Sequence, residues 1–147
     1  MIRVLLADSQ ATRREQVRAA LAADGGMEIV GQAGNGQEAV QQAYALRPDL
    51  VLLAADLSVR DGFAAAEILA ASGLPGQSVL LSEGSPPDDL RRAMRAGARE
   101  CVPWPCAEAD LCEALRNVHE DSLRRQSPDF AAAAEDRKST RLNSSHW

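Results

Sequence analysis

The chain has 147 residues, 46% hydrophobic and 25% charged, which fits one compact domain with an ordinary core, and nothing argues for two complete ones. A formal net charge of −5 gives no basic field for holding nucleic acid non-specifically, so any DNA binding must come from elsewhere. No stretch approaches the roughly 18 consecutive apolar residues of a membrane span, and the N-terminal MIRVLLADSQ lacks a secretory leader's basic region and long apolar run, so a cytoplasmic location is expected.

Ile2 to Ala7 (IRVLLA) is a short, nearly continuous apolar run, the pattern of a strand buried on both faces of a parallel sheet. Asp8-Ser9-Gln10 breaks it. Thr12 to Ala23 then places Val17, Ala20 and Leu21 at i, i+3, i+4 and predicts a helix with Arg13, Arg14, Glu15 and Arg18 outside, closed by Gly25-Gly26. Glu28 to Gln32 reads as a second strand. Asn35 with Glu38 three residues on opens a second helix, which Arg47-Pro48 stops after Leu46.

Leu50 to Ala54 (LVLLA) is a third buried strand, followed by a loop to Gly62 and an alanine-rich helix from about Phe63 to Ala71. Ser78 to Leu81 makes a fourth strand. Ser85-Pro86-Pro87-Asp88 is a helix start, with Asp88 and Asp89 at the positive end of the dipole and Leu90, Ala93 and Met94 as the apolar stripe. A short strand at Glu100 to Val102 precedes Pro103-Trp104-Pro105. The last helix runs from about Ala107 with Leu111, Leu115 and Val118 inward, and Ser127-Pro128 ends it or its extension.

Five strand–helix repeats with short connections predict an α/β fold, a doubly wound five-stranded parallel sheet with helices on both faces. Ligands of such sheets sit beyond the carboxyl ends of the strands, which singles out Asp8-Ser9, Ala54, Ser82 and Trp104. Cys101, Cys106 and Cys112 form no Cys-x-x-Cys pair and have no histidine at ligand spacing, so they are expected to be reduced, partly buried thiols. His119 is expected on the surface of the last helix, and Arg91, Arg92 and Arg95 on a solvated face of the fourth.

The segments VLLADSQ, EIVGQAGNGQEAV, RPDLVLLAADLSVRDG and RAGARECVPWP together resemble the CheY-like receiver domain of response regulators, especially those of NarL-type transcription factors. The resemblance covers about residues 2–120, anchored by Arg47-Pro48-Asp49, Asp61-Gly62 and Ala96-Gly97-Ala98, and it implies the flavodoxin-like (βα)5 topology. It further implies two adjacent acidic residues after the first strand, a phospho-accepting aspartate ending the third, a switch hydroxyl after the fourth, and a lysine before a cis proline after the fifth. Here Asp8 is kept, Ser9 replaces the second acid, and Ala54 stands at the acceptor, seven residues before Asp61. Ser82 matches the switch hydroxyl, Cys101 replaces the aromatic switch residue, Trp104 replaces the lysine, and Trp104-Pro105 is expected to be cis.

Each departure has a chemical consequence. An aspartyl phosphate needs a carboxylate nucleophile, and an alanine methyl cannot attack phosphorus. Mg²⁺ wants near-octahedral oxygen ligation, so Asp8 alone is a weak residual metal candidate, and no cofactor is expected. An indole brings one neutral N–H where the lysine brings a charge. Asp56, two residues beyond Ala54, is the only substitute acceptor on offer, but a misplacement of about 1 Å can already cost about 100-fold; its bland reading is a solvated loop carboxylate.

The leading expectation is therefore an atypical, phosphorylation-independent receiver with no enzymatic activity. It acts through protein partners, with the first and last helices as the dimer surface that NarL-type relatives imply. Two alternatives stand beside it: a small-molecule-sensing pseudo-receiver in which Trp104 stacks on a ligand, and an ordinary phosphorelay receiver using Asp56. Trp104 is expected to fill the space left by the missing acceptor and metal. Residues 121–135 read as a linker toward a C-terminal DNA-binding domain missing from this sequence. Residues 136–146 (DRKSTRLNSSH) match the in-frame translation of a common sequencing adapter, so 136–147 is expected to be a non-native tail. Without that tail the chain keeps 13 basic and 20 acidic residues, a net charge of −7.

Overall fold

The computed structural model describes residues 1–83 and 87–126. Strand and helix alternate in chain order: β1 (Ile2–Ala7), α1 (Ala11–Asp24), β2 (Met27–Ala33), α2 (Gly36–Leu46), β3 (Leu50–Ala54), α3 (Gly62–Ala71), β4 (Gln77–Glu83), α4 (Pro87–Arg95), β5 (Glu100–Trp104) and α5 (Glu108–Arg125). The expectations for Ser85 and Pro86, for Ser127-Pro128, for the linker beyond residue 126 and for the tail lie outside the described residues.

The five strands form one parallel sheet in the order β2-β1-β3-β4-β5. All five residues of β3 are buried, as a central strand covered on both faces requires. Alternate strand residues feed two separate cores. Val4, Leu6, Leu50, Leu52, Val79 and Leu81 meet α1 and α5 through Val17, Leu21, Leu111 and Leu115. Leu5, Val51, Leu53 and Leu80 meet α2, α3 and α4 through Ala43, Phe63, Leu69 and Ala93.

Local chemistry sets the helix ends. Asn35 Oδ1 accepts the Glu38 amide at 2.8 Å and caps α2. Arg47, in the left-handed region, ends that helix by donating its amide to Ala43. Glu38 reaches back to the Gly34 amide, one residue short of the reciprocal box its spacing suggested. Asp61 caps α3 through the Ala64 amide at 2.8 Å, and Gly25 closes α1 with φ 78°.

Three sequence expectations need correction. Leu90 and Met94 do not form a buried stripe: they are 41% and 50% exposed, and of the three only Ala93 is buried, because α4 is short and rests on the sheet through small residues. The strands β2, β4 and β5 outrun their apolar runs. Ser82 and Glu83 still pair with Pro103 and Trp104, since backbone ladders continue past hydrophobic patterning and an edge strand such as β5 tolerates proline. Arg13, expected outside α1, is 96% buried, its side chain being only 4% exposed.

No disulfide joins the three cysteines. Burial pushes the Cys106 and Cys112 thiols up, away from the thiolate form. Among the described residues no helix is long and apolar enough to cross a membrane.

Candidate functional site at the carboxyl edge of the sheet

Asp8 follows directly on β1. Its amide bonds to Ala33 O at 3.0 Å, extending the ladder one step and fixing where its side chain leaves the sheet. That carboxylate is fully buried and facing α1. Arg13, on the first turn of α1, meets it side-on: Nε donates to Oδ2 at 2.6 Å and Nη2 to Oδ1 at 2.8 Å. The Gln10 amide also donates to Oδ1 at 2.9 Å.

The same guanidinium reaches two further carboxylates. Nη2 donates to Asp56 at 2.5 Å and Nη1 to Glu83 at 2.9 Å. Four hydrogen bonds thus leave one planar group with five N–H donors, a use that only arginine's fork allows. Hydrogen bonding to Asp8 is the main influence holding the Arg13 charge more firmly than usual; burial opposes it, and Asp56 adds to it.

Ala54 ends β3, 1% exposed and paired with Leu81 of β4. No nucleophile stands at that position. Gly62 comes so close beneath it that an added Cβ would lie 2.3 Å from Ala54 O. Ser9 does not point at a metal: its Oγ accepts the Ser58 amide at 2.9 Å and lies 3.1 Å from Ser58 Oγ, pinning the loop between β3 and α3. The carbonyl of Ser58 accepts the Gly36 amide, tying that loop to α2, and Val59 beside it holds φ 66°, a strained value for a β-branched residue.

Ser82, buried within β4 and not beyond it, donates its hydroxyl to Asp89 of α4 at 2.5 Å. Cys101 is buried in β5 among the α2–α4 core. Arg92 lies 4.2 Å over the Phe63 ring and 3.4 Å from Asp61. Asp56, Phe63, Ser82, Glu83, Asp89 and Arg92 line an open cleft of about 280 Å³.

Two site expectations change. Trp104 does not fill the acceptor space or face that cleft; it rests partly buried against the α1–α5 core, because residues on β5 alternate faces and Val102 shares its side. The Trp104-Pro105 bond is cis. Asp56 is not simply a solvated loop carboxylate, since Arg13 and Gln10 Nε2 both hold it, the latter at 3.2 Å.

The resemblance implies Mg²⁺ here, and the residues present do not fit it. Both Asp8 oxygens are engaged by Arg13, Ser9 has turned to the loop, and no group of three metal-capable side chains is gathered among the described residues. Among the described residues, the cation that faces Asp8, Asp56 and Glu83 is Arg13. Sequence reasoning missed Arg13 because its charge argued for solvent. Its spacing argued otherwise: Arg13, Val17, Ala20 and Leu21 stand at i, i+4, i+7 and i+8, on one stripe.

Residues 4–116 match the family model of the response regulator receiver domain. The transcriptional regulatory protein PdtaR of Mycobacterium tuberculosis is 38% identical over 113 residues, covering 77% of this chain and 54% of its own length. The rice two-component response regulator ORR41 is 36% identical over 113 residues, covering 76% of this chain and 89% of its own length. In three dimensions, the signal receiver domain of the response regulator NarL from Mycobacterium tuberculosis superposes with a TM-score of 0.78 at 26% identity, covering 81% of this chain and 96% of that one. The chain spans between 32% and 58% of the length of seven of the curated relatives it matches.

Proposed function

The chain belongs to the response regulator receiver family, and from that premise we propose that it is a receiver which signals without being phosphorylated, through contact with protein partners. The observation that carries this reading is Ala54, a methyl buried at the carboxyl end of the central strand where the chemistry needs a carboxylate. The engaged state of Asp8 adds to it, since phosphoryl transfer depends on a cation poised to neutralise developing charge and Arg13 has closed that place.

By the same reading the domain is the regulatory half of a transcription factor, with DNA contacted by a separate C-terminal domain. The transcriptional role in PdtaR's name, together with the longer chain of that relative, supports this. An isolated receiver with a net negative charge has little means of holding DNA itself.

The deciding experiment is incubation of the protein with Mg²⁺ and acetyl phosphate, followed by intact mass and peptide mapping. No phosphate increment is expected. An increment mapped to Asp56 would refute the proposal in favour of a displaced acceptor.

A further inference from the structure

Consecutive side chains on a strand point to opposite faces, and the last two residues of β4 use this. Glu83 shares the face of Val79 and Leu81, toward α1, and accepts from Arg13 at 2.9 Å. Ser82 shares the face of Leu80, toward α4, and donates to Asp89 at 2.5 Å. The end of one strand therefore holds the guanidinium with one residue and the first turn of α4 with the next.

Arg13 also binds the end of β1 through Asp8 and the loop after β3 through Asp56. Its backbone is held in place from the other side, because Val17, Ala20 and Leu21 of the same helix are locked into the core. A bound metal ion comes and goes with its concentration. A cation tethered to a packed helix is always present, and its fork of donors can serve three carboxylates from three segments at once.

We infer that Arg13 is a built-in cation which closes the acidic pocket without metal and, through Glu83, Ser82 and Asp89, holds the start of α4 in one position. The domain then presents a fixed α4 in place of one repositioned by a signal in the pocket. This rests on the reading that the site no longer runs metal-dependent chemistry, and the experiment below separates the two.

The test is hydrogen exchange by mass spectrometry on the full chain, comparing wild type, Arg13→Gln and Glu83→Gln, each in EDTA and in millimolar Mg²⁺. Wild-type exchange is expected to be the same in both solutions. Arg13→Gln is expected to speed exchange of the α4 amides by about tenfold or more while α2 keeps its wild-type rate, and Glu83→Gln to speed α4 in the same direction. Slower wild-type exchange near Asp8 and Asp56 in Mg²⁺ would overturn the assignment of Arg13 as the resident cation, leaving the missing nucleophile at Ala54 untouched. Wild-type rates in α4 for both variants would overturn the coupling. Should Arg13→Gln exchange rapidly everywhere, Glu83→Gln decides alone, because that largely exposed side chain can lose its charge without disturbing the core.

Discussion

Replacing Arg13 by leucine isolates the energetic core of the site. The change leaves the Asp8 carboxyl fully buried with only the Gln10 amide as a partner. Breaking a buried pair in this way costs about 3–5 kcal/mol, whereas the pairs to Asp56 and Glu83, both more than half exposed, add about 0–1 kcal/mol each. A loss of about 3–5 kcal/mol is a large part of the roughly 5–15 kcal/mol available to a domain, and corresponds to a fall in Tm of about 10–20 °C.

Urea unfolding measures this directly, as a lower midpoint at an unchanged m value. The diagnostic step is a second substitution. Adding Asp8→Asn to Arg13→Leu removes the stranded charge yet keeps an acceptor for Gln10, so most of the loss is expected to return. If Arg13→Leu costs less than about 1 kcal/mol, or if Asp8→Asn makes the variant worse, then the pair is not the buried, charge-compensated contact described here.

Other predictions follow from the same geometry. Ala54→Asp alone, treated with acetyl phosphate and Mg²⁺ and read by intact mass, is expected to stay unmodified; adding Ser9→Asp and Trp104→Lys is expected to leave it so while Arg13 occupies the pocket. Rapid labelling of the single variant would show that Ala54 is the sole defect, and rapid labelling of the triple variant alone would show that Arg13 does not block the pocket. Gly36→Ala places a methyl 1.8 Å from the Arg60 carbonyl oxygen, a backbone atom with little room to yield, and is expected to lower stability in urea by about 1–3 kcal/mol. Hydrogen bonding from Arg116 holds the Asp24 carboxyl below its ordinary range, so that pair stabilises the fold above the usual aspartate range and the contribution is lost as pH falls through the lowered value. The stability difference between wild type and Arg116→Gln is therefore expected at neutral pH and should vanish in strong acid; a difference that persists there would rule out the ion pair as its cause.

Much of this protein is legible without coordinates. Five apolar runs separated by helical stripes, with Asn35 as a cap and Gly25 as a stop, determine which segments are strands and helices, because periodicity and capping are local properties of the chain. The absence of a carboxylate at Ala54 is likewise a fact of sequence, and no folding event can restore it. Tertiary structure alone decided what took the place of the lost chemistry. Trp104 looked like the filler, yet strand alternation turns it to the other face. Arg13 looked like a solvated helix charge, yet the first turn of α1 brings it within 3 Å of carboxylates that follow β1, β3 and end β4. Those partners stand 5, 43 and 70 positions away along the chain. A charge buried by partners so distant in sequence carries no local signature beyond its place on the apolar stripe, and only the closing of the parallel sheet brings them together.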